Sequence, residues 1–190
     1  LSCTFSFMLA RFPFKGSGIL IGLFFAGMMI PVHCTLIPLY NMMNMAGLID
    51  HLWALLFPYV ASSLPIAVFL TYGHYQQLPK ELEEAARIDG CSVTGMFFRV
   101  FLPLSKPVIS TISILTALSA WNEFMFANVF LSDPNQKTLP IGLLALKGTY
   151  STDYAALCAA LTMSAVPIIL VYVLMSNKIQ SGMVAGAVKS

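Results

Sequence analysis

Polar and apolar positions along this chain fall into long blocks instead of a short alternating rhythm. Gly18 to Ile49 carries no Lys, Arg, Asp or Glu, and neither does His51 to Pro79. Pro107 to Asn122 is uncharged, and a lone Glu123 precedes a second uncharged run to Ser132. Tyr154 to Asn177 is uncharged as well. A helix needs about 20 apolar residues to cross the hydrocarbon core of a bilayer. The blocks therefore predict four spans, roughly 18–40, 52–72, 108–130 and 154–175. A membrane β-barrel would show segments of alternating hydrophobicity, so the prediction is all-α, a polytopic transmembrane helical bundle.

Leu1–Ala10 is apolar but too short to span, and no initiator Met precedes it. That predicts a partial span over 1–10, the tail of a helix whose start is missing, in a chain incomplete at its amino end. A signal peptide would begin with Met and a charged region.

Composition agrees with the block pattern. Of 190 residues, 58% are hydrophobic and 9% are charged, against roughly 25% charged in soluble domains. Mean hydropathy is +0.81. So little charge cannot keep the surface of so apolar a chain in water. A soluble enzyme, a disordered tail and a nucleic-acid binder are all disfavoured. A net charge of +2 is too small to attract polyanions.

The positions of the charges say more than their sum. Alternate loops place Arg11, Lys15, Lys80, Arg87, Arg99, Lys106, Lys178 and Lys189 on one side and Lys137 and Lys147 on the other. By the positive-inside rule the first side is cytoplasmic. The carboxyl terminus is then inside, and Asn41–His51 and Leu131–Asp153 face out. Pro31, Pro38, Pro58, Pro65, Pro107 and Pro167 lie within or at the edges of the spans and read as ordinary membrane-helix prolines. Gly18-x-x-x-Gly22 and the face of Ala155, Ala156, Ala159 and Ala160 read as close-packing surfaces.

Chemistry of the enzymatic kind is hard to find. Cys3, Cys34, Cys91 and Cys158 show no C-x-x-C spacing, and His33, His51 and His74 are scattered without a carboxylate at ligand spacing. Neither a disulfide framework nor a zinc site is indicated. No P-loop occurs, and no nucleophile–base pair rises above coincidence. No catalytic, metal or cofactor residue is assigned.

The informative segment is the loop 77–107. It holds Lys80, Glu81, Glu83, Glu84, Arg87, Asp89, Arg99 and Lys106. Pro79 suits a first helical position and Gly90 a helix stop. Between them Leu82, Ala85 and Ala86 form a small apolar face, and Glu83–Arg87 is a favourable i,i+4 pair. So short a helix is marginal alone in water and needs a surface to rest on. The flat, Ala-rich face bracketed by Pro and Gly suits a rigid knob in a partner's groove. Val93–Leu102 is a second short amphipathic stretch, followed by Pro103 and Pro107.

At this loop the chain resembles a known family. Glu84-Ala85-Ala86, three residues, Gly90, nine residues, Val100, one residue and Leu102-Pro103 is similar to the E-A-A-x3-G-x9-I-x-L-P motif of permease subunits of binding-protein-dependent ABC importers. Val100 in place of Ile is the one departure, and it keeps the β-branched shape. Leu78–Gly90, Trp121-Asn122-Glu123-Phe124, Thr138–Leu143 and Ala185–Lys189 resemble the carbohydrate subfamily, of the maltose and glycerol-phosphate type. The resemblance covers nearly the whole chain.

It implies a type I ABC importer permease in a bacterial inner or plasma membrane, with residues 1–190 as its transmembrane domain and the loop helix as the coupling helix. Glu84, Ala85, Ala86, Gly90, Val100, Leu102 and Pro103 would couple it to a cytoplasmic ATPase subunit. ATP and magnesium would sit on that partner, with no cofactor on this chain. A second homologous permease, the ATPase subunits, an external solute-binding protein and the lipid bilayer would be its partners. Ala185–Ser190 resembles tails that reach toward the ATPase. Trp121, Asn122 and Glu123 could line the translocation path, because an ionisable residue in a span is costly. Glu123 could equally meet interfacial water or a neighbour.

A secondary transporter or channel without an ATPase is the competing reading. It is short of ionisable groups within the bundle, with only Glu123 and His33 available, and it leaves the loop without a purpose. A membrane scaffold with no transport role is a third.

Overall fold

The computed structural model describes residues 1–147 and 153–187, with side chains through 144, at 146–147 and from 153 to 173. Val188–Ser190 of the expected carboxyl-terminal tail, and residues 148–152 of the expected outer loop, lie outside the described residues. Among the described residues the chain is all-α, with no β-strand. Its helices are α1 (Ser2–Arg11), α2 (Ser17–Met29), α3 (Leu36–Met45), α4 (Trp53–Gln77), α5 (Glu81–Ile88), α6 (Val93–Met96), α7 (Leu102–Leu104), α8 (Lys106–Asn122), α9 (Met125–Phe130), α10 (Leu139–Ala145) and α11 (Tyr154–Ala187).

The four apolar blocks do not all form single helices. The block at 52–72 lies within the unbroken 25 residues of α4, despite Pro58 and Pro65. The block at 154–175 lies within α11, with Pro167 inside it. The block at 18–40 is α2, an extended break and then a short 3-10 turn leading into α3. Ile30 leaves the helix at ψ 118° and Pro31 follows at ψ 119°. Pro31 has no N–H to donate, and its ring drives the preceding residue out of the helical region. Pro38 is tolerated two residues into α3, where an N–H would find no helical partner anyway. The block at 108–130 is α8 and α9, separated at Glu123–Phe124. Among the described residues, two helices, α4 and α11 (the latter over Tyr154–Val173), are long and apolar enough to cross a membrane by themselves.

Contacts divide the chain into two compact units. The first holds Leu1–Ile30, Ser63–Ile114 and the chain from Ser176. Its core is Phe7, Tyr75, Ala86, Met96, Phe97 and Phe101. Phe7 is the hub, with ring centroids 4.9 Å from Phe101, 5.2 Å from Phe97 and 5.9 Å from Tyr75. Tilted and edge-on pairs of this kind contribute about 0.5–1.5 kcal/mol each beyond burial. A buried polar contact joins α1 to α4, with Ser6 Oγ 2.6 Å from Thr71 Oγ1. Both hydroxyls also meet main-chain carbonyls of α4, which satisfies them away from water.

The second unit holds Pro31–Ser62 and Leu115–Met175. Its core is built on Ala54, Leu55, Phe126, Ala127, Phe130 and Leu131. Asp50 fastens two of its loops. It sits at φ +62°, donates its N–H to the Phe130 carbonyl at 2.9 Å and accepts the amides of Ser132 and Asp133 on Oδ1. In α11, no residue from Tyr154 to Val173 is buried.

Candidate functional site

The 77–107 loop is a folded cap on the first unit. Helix α5 starts at Glu81, two residues beyond the expected Pro79 start, with Glu81, Glu83 and Glu84 in its first turn, where the helix dipole favours negative charge. Glu83 Oε1 accepts from Arg87 Nη2 at 2.7 Å, the pair expected from spacing. The helix ends in a Schellman motif, in which Cys91 donates its N–H to the Ala86 carbonyl (2.9 Å) and Gly90 to the Arg87 carbonyl (3.0 Å). Gly90 holds φ +73°, a left-handed conformation that glycine adopts without a Cβ penalty.

The expected apolar face of Leu82, Ala85 and Ala86 does not hold together. Ala86 is 5% exposed and belongs to the Phe7–Tyr75–Phe101 core. Ala85 is exposed. Adjacent helical residues point about 100° apart, so two alanines in sequence cannot share one narrow face. Glu81, Glu84, Ala85 and Ile88 make the outward stripe, at the i, i+3, i+4, i+7 spacing of one helix face. Ile88 is 85% exposed. It is an unmatched large apolar side chain among carboxylates, and it was missed in the sequence because an isolated Ile sets up no periodicity.

The rest of the motif divides in the same way. Val100 and Leu102 pack against the core, while Pro103 is exposed. Ser92 begins α6 by accepting the Gly95 N–H on its hydroxyl at 3.1 Å. The π-turn at Phe97–Phe101 buries its first and last rings together. Arg11 Nη2 donates to the Leu78 carbonyl, and its guanidinium lies over the Phe101 ring, 5.2 Å from the centroid. Burial works to lower the Arg11 pKa, and the Glu83 charge opposes it. The loop is thus pinned at Arg11, Ala86, Val100 and Leu102, while Glu84, Ala85 and Ile88 face outward.

Trp121, Asn122 and Glu123 separate in the second unit. Glu123 Oε2 accepts from the Tyr59 hydroxyl at 2.7 Å. Its two oxygens also accept the backbone amides of Phe126 (2.7 Å) and Ala127 (3.2 Å). It caps α9, whose first amides have no partner inside the helix. Trp121 and Asn122 instead line an open cleft of about 330 Å³, together with Leu139, Pro140 and Leu143 of α10 and Leu161 and Ser164 of α11. Trp121 donates its indole N–H to the Ser164 carbonyl at 3.3 Å and is 41% exposed. Among the described residues, no three His, Cys, Asp or Glu side chains converge to hold a metal ion.

These features define a class, an all-helical protein with helices apolar and long enough to span a membrane and a short amphipathic helix seated on an aromatic core. Comparison with known proteins supplies the family. The profile of the binding-protein-dependent transport system inner membrane component matches residues 2–181, and the chain belongs to that family. It is 42% identical over 189 residues to a probable ABC transporter permease protein, YurM, of Bacillus subtilis, covering 100% of this chain and 63% of the relative. It is 37% identical over 193 residues to the arabinooligosaccharides transport system permease protein AraQ of Halalkalibacterium halodurans, covering 100% of this chain and 68% of the relative. The fold is similar to a chain in the crystal structure of a bacterial ABC transporter involved in the import of the acidic polysaccharide alginate. The TM-score there is 0.77 at 22% identity, over 90% of this chain and 65% of that one. The chain therefore spans about two thirds of the length of the proteins it matches.

Proposed function

We propose that this chain is the transmembrane part of a permease subunit in an ATP-driven importer for a carbohydrate or a related small solute. In this reading it forms half of the translocation path with a second, homologous permease. The ATP is hydrolysed on separate cytoplasmic ATPase subunits, and an external binding protein delivers the solute. The Lys and Arg distribution supports a cytoplasmic α5 and carboxyl terminus. Relatives named for arabino-oligosaccharide transport support the carbohydrate class. The unburied apolar surface of α11 from Tyr154 to Val173 suits lipid or a companion subunit.

One observation carries the coupling role. Helix α5 is held rigidly from beneath, yet turns Glu84, Ala85 and an 85% exposed Ile88 outward. A large apolar side chain so exposed is suited to a partner's groove. Ala85 lets the partner approach closely, and the carboxylates suit basic or helix-terminal groups at the groove's rim. Closure of the ATPase pair would then drag α5 and rock the helices to which it is fixed, so that access alternates.

The test uses the full-length protein with its companion subunits. Wild type should co-purify with an ATPase and take up solute only while ATP is hydrolysed. Ala85→Glu and Ile88→Glu, both on the outer stripe, should reach the membrane at normal levels but lose the ATPase on purification. Uptake that needs no ATP, or normal ATPase retention by both variants, would defeat the coupling role.

A further inference from the structure

The loop rejoins the membrane helices at a point that the motif does not include. Ser105 follows α7 and precedes α8, at a 70° bend between Val93–Leu104 and Lys106–Asn122. Its N–H donates to the Phe101 and Leu102 carbonyls at 3.0 and 3.1 Å. Its hydroxyl is hydrogen-bonded to the Phe101 carbonyl at 2.6 Å and to the Tyr75 hydroxyl at 2.9 Å. Ser105 and Tyr75 are both wholly buried. Tyr75 therefore touches both sides of the loop's foundation. Its ring shares the core that receives Ala86 of α5, and its hydroxyl, reaching from α4, holds the bend.

The two kinds of contact resist motion differently. Apolar packing is non-directional, so helices joined by it alone can roll or slide. A buried hydrogen bond is directional, and separating its partners strands both in a medium that cannot replace them. Without the bond, the bend at Ser105 is where a displacement of α5 would be absorbed.

We propose that the Tyr75–Ser105 hydrogen bond is a transmission latch, which makes the loop, the adjoining end of α4 and the start of α8 move as one body. The inference rests on the coupling role proposed above. Tyr75 and Ser105 act as positioning residues, since neither is exposed to a partner or a solute.

The experiment reconstitutes the complete importer (full-length permease, second permease, ATPase and binding protein) in proteoliposomes and reads solute imported per ATP hydrolysed. Tyr75→Phe removes one oxygen and leaves the ring in place. It should keep the ATPase bound and hydrolysing near the wild-type rate, while solute per ATP falls by about fivefold, the scale of one buried hydrogen bond. Ser105→Ala, which also gives up the bond to the Phe101 carbonyl, should show at least the same loss, and the double variant should add nothing to it, because the Tyr75–Ser105 contact is already gone in either single variant. Should Tyr75→Phe fail to accumulate, Ser105→Ala carries the same test from the other side. An unchanged ratio, losses that multiply in the double variant, or uptake and hydrolysis falling in proportion would each overturn the latch. Failure of the coupling reading is recognised separately, as a wild-type complex without ATP-dependent uptake.

Discussion

The Tyr59 hydroxyl donates to Glu123 Oε2 at 2.7 Å, across 64 positions of sequence. The acceptor is the lone charge in the 107–132 stretch, and the same carboxylate caps α9 through Phe126 and Ala127. All its described partners are structural, which separates it from Trp121 and Asn122 in the cleft. Glu123→Ala strands two amides, removes the acceptor of the Tyr59 hydroxyl bond and should cost about 1–3 kcal/mol. Glu123→Gln keeps an acceptor and should cost less. The check is the thermal midpoint of the detergent-solubilised full-length protein. An Ala variant as stable as wild type would remove the cap from the account.

How far the sequence foretold this arrangement depends on the range of each interaction. Glu83–Arg87 and the Gly90 stop were legible because both are settled within one or two turns of helix. The all-α architecture was legible because continuous apolar runs leave the backbone only itself to bond with in a bilayer. The break at Ile30–Pro31 was not. Pro31 was visible, but Pro58, Pro65 and Pro167 interrupt nothing, and only tertiary packing distinguishes them. Glu123 and Ser105 were opaque for a related reason. Their partners Tyr59 and Tyr75 lie 64 and 30 residues away, and no spacing rule reaches so far. Ala85 and Ala86 look alike in sequence, and a pair of small side chains sets no direction by itself.

That difference between the two alanines gives a second prediction. Ala86 sits in the aromatic core of the first unit, so Ala86→Leu adds volume where none is free. It should destabilise the loop by about 1–3 kcal/mol. The same change at exposed Ala85 should leave stability within about 0.5 kcal/mol, even though it alters the outward stripe. Arg87→Ala is a useful reference. Its ion pair with Glu83 is open to solvent at the arginine, 60% exposed against 15% for the glutamate, and such pairs contribute about 0.2–1 kcal/mol, beside the guanidinium's contact with the Phe12 ring. Proteolysis of the folded protein within residues 77–107 would rank the three. Equal susceptibility of the two leucine variants would contradict the inward placement of Ala86.

Asp50 offers the sharpest separation of backbone strain from hydrogen bonding. It holds φ +62° while its carboxylate accepts two amides, from Ser132 and Asp133. Asp50→Ala loses both bonds and still asks an L-residue with no polar side chain to stay left-handed, a penalty of roughly 1–2 kcal/mol on top of the lost bonds. Asp50→Gly loses the bonds but not the conformation. Asp50→Asn keeps a carbonyl acceptor and a residue that tolerates this region. Stability should therefore fall in the order Asn, Gly, Ala, with Asn closest to wild type. Amide hydrogen exchange at Ser132 and Asp133 should quicken in both Gly and Ala and change little in Asn. If Gly proved as damaging as Ala, the positive φ would carry no cost of its own. If exchange were unaltered in both, the carboxylate would not be what fastens the loop Leu131–Asp133 to Asp50.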